Sequence, residues 1–183
     1  LARVAWIMGG AVVGANLFLE GCTRKAAKNV EGLFEPETID FLGDVADTIL
    51  PPTSSPGAKE AGVGAFIPVM VKDCYTTDQQ KIVIDGLGKL EDAATEKFGR
   101  KFQELDAAER TELLAAIDKE AKDYQKNKTE EDADHYFHLI KQLTLLGFFT
   151  SELGATEALR YVQIPGRYDG DYPYAKGDKA WAT

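Results

Sequence analysis

Cysteine and histidine are scarce in this chain: two of each, Cys22, Cys74, His135 and His138. Two cysteines are too few for a disulfide scaffold, and their spacing makes no metal-binding pattern. With only two histidines beside them, no zinc site of ordinary composition can be assembled. Phosphate-cradling glycine loops are missing too. Neither GxGxxG nor GxxxxGK[ST] occurs, and the pair Ser54–Ser55 has no GxSxG setting. These absences argue against an independent enzyme. Positive charge is also short, with 21 Lys plus Arg against 30 Asp plus Glu and a net charge of −9. Such a chain repels phosphate backbones, which argues against a nucleic-acid partner. The imbalance is uneven: residues 1–28 carry +3, so the other 155 carry −12. What the chain does have, 44% apolar and 10% aromatic residues in 183, is enough for the core of one compact domain.

Residues 4–19, VAWIMGGAVVGANLFL, contain no charge and follow Arg3. The run is short for a spanning helix, which needs about 20 residues, and suits the apolar region of an export signal or anchor. Its glycines and modest hydrophobicity are typical of twin-arginine signals. Leu19-Glu20-Gly21-Cys22 partly matches a lipobox, with Glu20 out of pattern. Lipidation of Cys22 therefore stands beside a free or disulfide-bonded thiol. Residues 1–22 read as a signal-like or anchoring segment and 23–36 as a polar linker.

The body, 37–159, reads as helices joined by Gly/Pro loops. Ile39, Leu42, Val45, Ala46 and Ile49 have helical spacing between Pro36 and the stop at Pro51–Pro52. The long loop PPTSSPGAKEAGVG follows; a loop of that size is more often functional or interface-forming than idle. A short helix over 65–74 is expected to turn Phe66, Val69 and Met70 inward. Thr77 with Gln80 predicts a capping box opening a helix to about Phe98, and Asp106 with Glu109 another to about Lys126, with Leu113, Leu114 and Ile117 facing inward. Residues 127–134 are polar and turn-like. The most apolar stretch of the body places Phe137, Ile140, Leu143, Thr144 and Phe148 on a buried helix, with Gly154 as its terminator. No period-2 run is long enough for a strand, so the class is all-α, a small helical bundle.

Residues 160–183, RYVQIPGRYDGDYPYAKGDKAWAT, set four tyrosines and a tryptophan among glycines and prolines. Such a segment cannot be a regular helix, and it is too aromatic for a disordered tail. Tyr, Trp and Arg dominate interface hot spots. The expectation is an irregular, extended arm laid on another subunit through Arg160, Tyr161, Arg167, Tyr168, Tyr172, Tyr174 and Trp181; the alternative is a tail wrapped on its own domain.

LTLLGFFTSELGATEALRYVQIPGRYDG (143–170) with PYAKGDKAWAT (173–183), and DVADTILPPTSSPGAKEAGVGAFIPVMVKDCY (44–75), resemble the gluconate 2-dehydrogenase subunit 3 family. The positions carried over are Pro51, Pro56, Gly57, Ala58, Asp73, Gly147, Thr150, Glu152, Gly154 and Ala155. In the tail they are Arg160, Tyr161, Pro165, Gly166, Tyr168, Gly170, Asp178 and Trp181. The resemblance implies a non-catalytic accessory subunit with no cofactor of its own. Its implied partner is a large FAD-dependent dehydrogenase of the glucose–methanol–choline type, acting on a sugar or sugar acid, with a cytochrome c carrying haem c as a possible third subunit. It further implies support of maturation and twin-arginine export, and a periplasmic, membrane-associated complex.

Other constellations are open to ordinary readings. His135 and His138, at i and i+3, share a helix face near Glu131, Asp132 and Asp134. They read as structural or interface residues, with a metal-dependent enzyme or a membrane-anchored adaptor as the alternatives. Asp169, Asp171 and Asp178 lack the ligand ladder of an EF-hand. Cys74 is either a bridge to a partner or a buried thiol.

Overall fold

The computed structural model describes residues 28–164 and 166–182. The signal-like segment 1–22 with Arg3 and Cys22, residues 23–27 of the linker, and Pro165 lie outside the described residues. A 3₁₀ turn, Val30–Phe34, leads into five α-helices. These are α1 (Pro36–Ile49), α2 (Val63–Cys74), α3 (Thr77–Phe98), α4 (Ala107–Asn127) and α5 (Tyr136–Thr150), followed by a π-helical turn, Gly154–Ala158. The expected all-α bundle is what forms, and the described residues contain no strand.

Helix α1 begins with Pro36 in its first turn, where a missing N–H costs nothing, and ends before Pro51. It buries Phe41, Leu42, Val45 and Ala46, and Phe41 meets Phe102 edge-on at 5.6 Å. The crossing of α1 and α2 is set by glycine. A Cβ on Gly64 would lie 2.5 Å from the Ile39 carbonyl oxygen and 2.8 Å from Gly43 N, so only hydrogen there lets the two backbones touch. Gly64→Ala should therefore destabilise the fold by about 1–3 kcal/mol through overpacking, more than the ~1 kcal/mol of helix propensity it gains. The check is thermal unfolding. An unchanged midpoint would show that α1 and α2 can part without cost.

That crossing also decides which face of α2 is inward. Val63, Ile67 and Val71 are buried, whereas Val69 is exposed and Phe66 and Met70 are half-buried. The sequence expectation of Phe66, Val69 and Met70 as the inward face is thus corrected at Val69, while Met70 packs at the edge of the core and Phe66 lies over Gly147. The helix is apolar on most sides, and packing on α1, not periodicity, selects the side. The capping box of α3 is shifted by one residue from its expected place. Thr76 accepts from the backbone N–H of Gln79, and the Gln79 side chain accepts from Thr76 N. The box at Asp106 and Glu109 opens α4 as expected, and Leu113, Leu114 and Ile117 are buried.

The loop between α1 and α2 is tied down, not idle. Lys59 Nζ bridges Asp40 at 2.7 Å and Asp44 at 2.6 Å, and these hydrogen bonds raise its pKa. Lys59 N donates to Asp47 Oδ1, and Ala58 is fully buried.

Helix α5 touches all four other helices, and Phe137, Ile140, Leu143, Thr144 and Phe148 are buried as their spacing predicts. It is the axle of the bundle. Gly154 does not terminate it. The helix ends at Thr150, where Ser151 Oγ donates to the Phe148 carbonyl oxygen and accepts from Gly154 N. Gly154 is needed for a different reason: a Cβ there would lie 1.8 Å from the Phe148 carbonyl oxygen.

Candidate functional site

A helix apolar on every side is normally buried on every side. The C-terminal half of α5 departs from this, because Leu145, Leu146 and Phe149 remain exposed. At 100° per residue the doublets Leu145–Leu146 and Phe148–Phe149 cannot all face the core. These three residues were not singled out from the sequence, although the doublets are the signal that could have found them.

The chain leaves this face through the π-helical turn and enters the aromatic tail. Tyr168 is 96% exposed, Ile164 80% and Tyr174 78%; Tyr161, Val162, Tyr172 and Trp181 are exposed as well. Here the structure differs from the expected extended arm. The tail turns back on its own root, so that Arg160 pairs with Trp181 in a single β-bridge. Arg160 N donates to the Ala180 carbonyl oxygen at 2.8 Å, and Ala182 N to the Arg160 carbonyl oxygen at 2.9 Å. The Arg160 guanidinium lies 4.6 Å from the Trp181 ring centre and 5.4 Å from that of Tyr172. Those two rings meet edge-to-face at 5.3 Å. Of the seven expected interface residues, Arg160, Tyr172 and Trp181 cluster together. Arg167 pairs with Asp169 at 3.1 Å, while Tyr161, Tyr168 and Tyr174 point no ring at any other described ring. Asp178 caps a turn by accepting from Ala175 N.

The two histidines have separate structural tasks. His135 is the N-cap of α5: its Nδ1 accepts from Phe137 N at 3.2 Å, and its Nε2 lies 3.6 Å from Glu120 Oε1. His138 Nε2 is 2.8 Å from the side-chain nitrogen of Gln142. Among the described residues no three of His, Cys, Asp and Glu are grouped to hold a metal ion. Cys74, at the end of α2, is a free thiol; it is exposed, which corrects the expected buried alternative. Among the described residues no helix is long and apolar enough to cross a membrane.

Burial lowers the pKa of His135, and the nearby Glu120 only partly offsets this. The unfolded chain then takes up the proton first as pH falls below about 6.5. Stability is therefore full above that value and declines as pH drops toward the folded-state pKa. Protonation also removes the lone pair that caps Phe137 N. His135→Asn keeps a good N-cap without a titrating ring, and its melting temperature should vary less between pH 6.5 and 5 than that of the parent. An equal decline in both proteins would show that His135 does not govern this range.

The family model described as Gluconate 2-dehydrogenase subunit 3 matches residues 36–166. The match takes in all five helices and the root of the tail; the stretch 173–183 lies beyond it. Comparisons with curated proteins and with solved structures give no match.

Proposed function

The chain belongs to the gluconate 2-dehydrogenase subunit 3 family and is a non-catalytic accessory subunit beside a catalytic dehydrogenase; we propose that its partner is a periplasmic, FAD-dependent enzyme of the glucose–methanol–choline type that oxidises a sugar or sugar acid. In that complex this chain supports assembly, stability and twin-arginine export of the large subunit. A cytochrome c with haem c completes the path for electrons, and the segment 1–22 serves as export signal or membrane anchor.

The observation that carries this reading is the exposure of Leu145, Leu146 and Phe149 at the end of α5 and of the aromatic side chains in the tail. An accessory subunit needs a face that buries apolar area only in the complex, and exposed large apolar side chains grouped on one helix face mark such a face. Charge supports the same side. Residues 160–183 hold Arg160, Arg167, Lys176 and Lys179 against Asp169, Asp171 and Asp178, a net +1, whereas residues 29–159 carry −13. The tail is where another protein approaches without like-charge repulsion.

Producing the large subunit with and without this chain tests the proposal. Flavin-loaded large subunit should accumulate outside the cytoplasm only with the chain present. Equal amounts of exported, flavin-loaded enzyme in both cases would refute the supporting role.

A further inference from the structure

We infer that the described tail, residues 160–164 and 166–182, is closed beforehand at its two ends, with Arg160 as the positioning residue that closes it and Tyr168 and Tyr174 as the side chains it presents to the large dehydrogenase subunit; this rests on the function proposed above. Two independent sets of contacts close the loop at one place. The backbone bonds between residues 160 and 180–182 join segments some twenty residues apart in sequence. The guanidinium of Arg160 faces both Trp181 and Tyr172, and a cation held over two rings is attracted to each. Lys179 Nζ adds a hydrogen bond to the carbonyl oxygen of Glu157 at the tail's root, and Asp178 lies 4.0 Å from the Arg160 guanidinium.

The consequence is a division of labour among aromatics that the sequence presents as equals. Trp181 and Tyr172 are held by this chain's own arginine. Tyr168, at 96% exposure, and Tyr174 are not. A segment that orders only on binding must pay its conformational entropy at that moment, whereas a loop closed beforehand does not. Breaking the closure at Arg160, which does not line the groove, therefore weakens binding without removing a side chain that touches the partner. Beside Tyr168 the loop forms an open groove of about 410 Å³, floored by Val162, Tyr172 and Trp181 and edged by the Arg167–Asp169 pair. Its apolar floor and near-neutral edge fit an apolar side chain projecting from the large subunit.

Hydrogen exchange on the full-length chain, read in the peptide that contains Ala182, is measured together with capture of the large subunit. In the unmodified chain the Ala182 amide should be protected. Arg160→Gln and Trp181→Ala should each speed its exchange tenfold or more and weaken capture by a similar factor. Tyr168→Ala should leave exchange within twofold while weakening capture tenfold or more. Ala182 exchange in Trp181→Ala within twofold of the parent would overturn the closure, whatever the partner. Tyr168→Ala with normal capture would overturn its role as a presented anchor. Self-association of the chain that Tyr168→Ala abolishes would assign the face to a second copy, and this too would overturn the proposal. If the unmodified chain captures no flavoprotein, the function proposed above fails, and the exchange result still decides the closure separately.

Discussion

Removal of residues 160–183 is expected to abolish copurification of the large flavoprotein while the five helices stay folded. The segment holds the most exposed aromatic side chains among the described residues; Lys179 ties it to Glu157 at its root, and none of its described residues belongs to the hydrophobic core. No helix depends on it for its cap or its core contacts. Interface anchors of this kind cost about 2–4 kcal/mol each on truncation, or roughly 30- to 1,000-fold in affinity. Losing several together leaves no measurable complex. Tyr168→Ala with Trp181→Ala should approach the same result by two routes, one removing an anchor and the other opening the loop. The loss should appear as unstable or unexported large subunit, not as lower turnover per assembled complex. Circular dichroism of the truncated chain separates the outcomes. If the helices melt while a folded fraction still binds normally, the tail serves its own domain.

The second large effect concerns delivery. Residues 4–19 form an uncharged run of sixteen behind Arg3, which suits an export signal. Deleting them is expected to leave the assembled complex in the cytoplasm, with dehydrogenase activity lost from the periplasmic fraction. The folded flavoprotein then has no signal to travel on. Undiminished periplasmic activity after the deletion would end this idea and place the export signal on another subunit.

A smaller effect follows from the histidines. Replacing His135 and His138 together by Gln should keep turnover of the assembled complex within severalfold. The change removes the cap at the start of α5, so stability falls by about 0.5–2 kcal/mol. A loss of about 10³ in turnover with intact assembly and flavin loading would instead be the scale of lost acid–base catalysis.

The sequence made most of the bundle legible because its helices carry local signals. Pro36 and Pro51 bracket α1, Asp106 and Glu109 open α4, and one face of α5 repeats apolar residues at helical spacing. It was less informative where two local readings compete. TTDQQ offers two overlapping Thr-x-x-Gln boxes, at Thr76 and at Thr77, and only the backbone geometry selects the first. Helix α2 offers two apolar stripes, and the choice was made by Gly64 against Gly43, a contact between residues distant in sequence. The candidate site was half visible for the same reason. Composition marked the tail as aromatic and exposed, but the pairing of Arg160 with Trp181 is non-local, and no spacing encodes it. The doublets Leu145–Leu146 and Phe148–Phe149 show that some apolar side chains of α5 must stay outside, but which ones depends on how α1 to α4 take up the other sides of the helix.

The accessory role itself is tested most directly by purifying this chain from its own cells under gentle conditions and identifying by mass what travels with it, with the flavin content measured on the same sample. The expected result is a large, yellow, FAD-containing dehydrogenase that accounts for all sugar-oxidising activity, and no flavin or haem absorbance on this chain once separated. A chain that turns over substrate alone, or that travels with large partners lacking flavin, would contradict it.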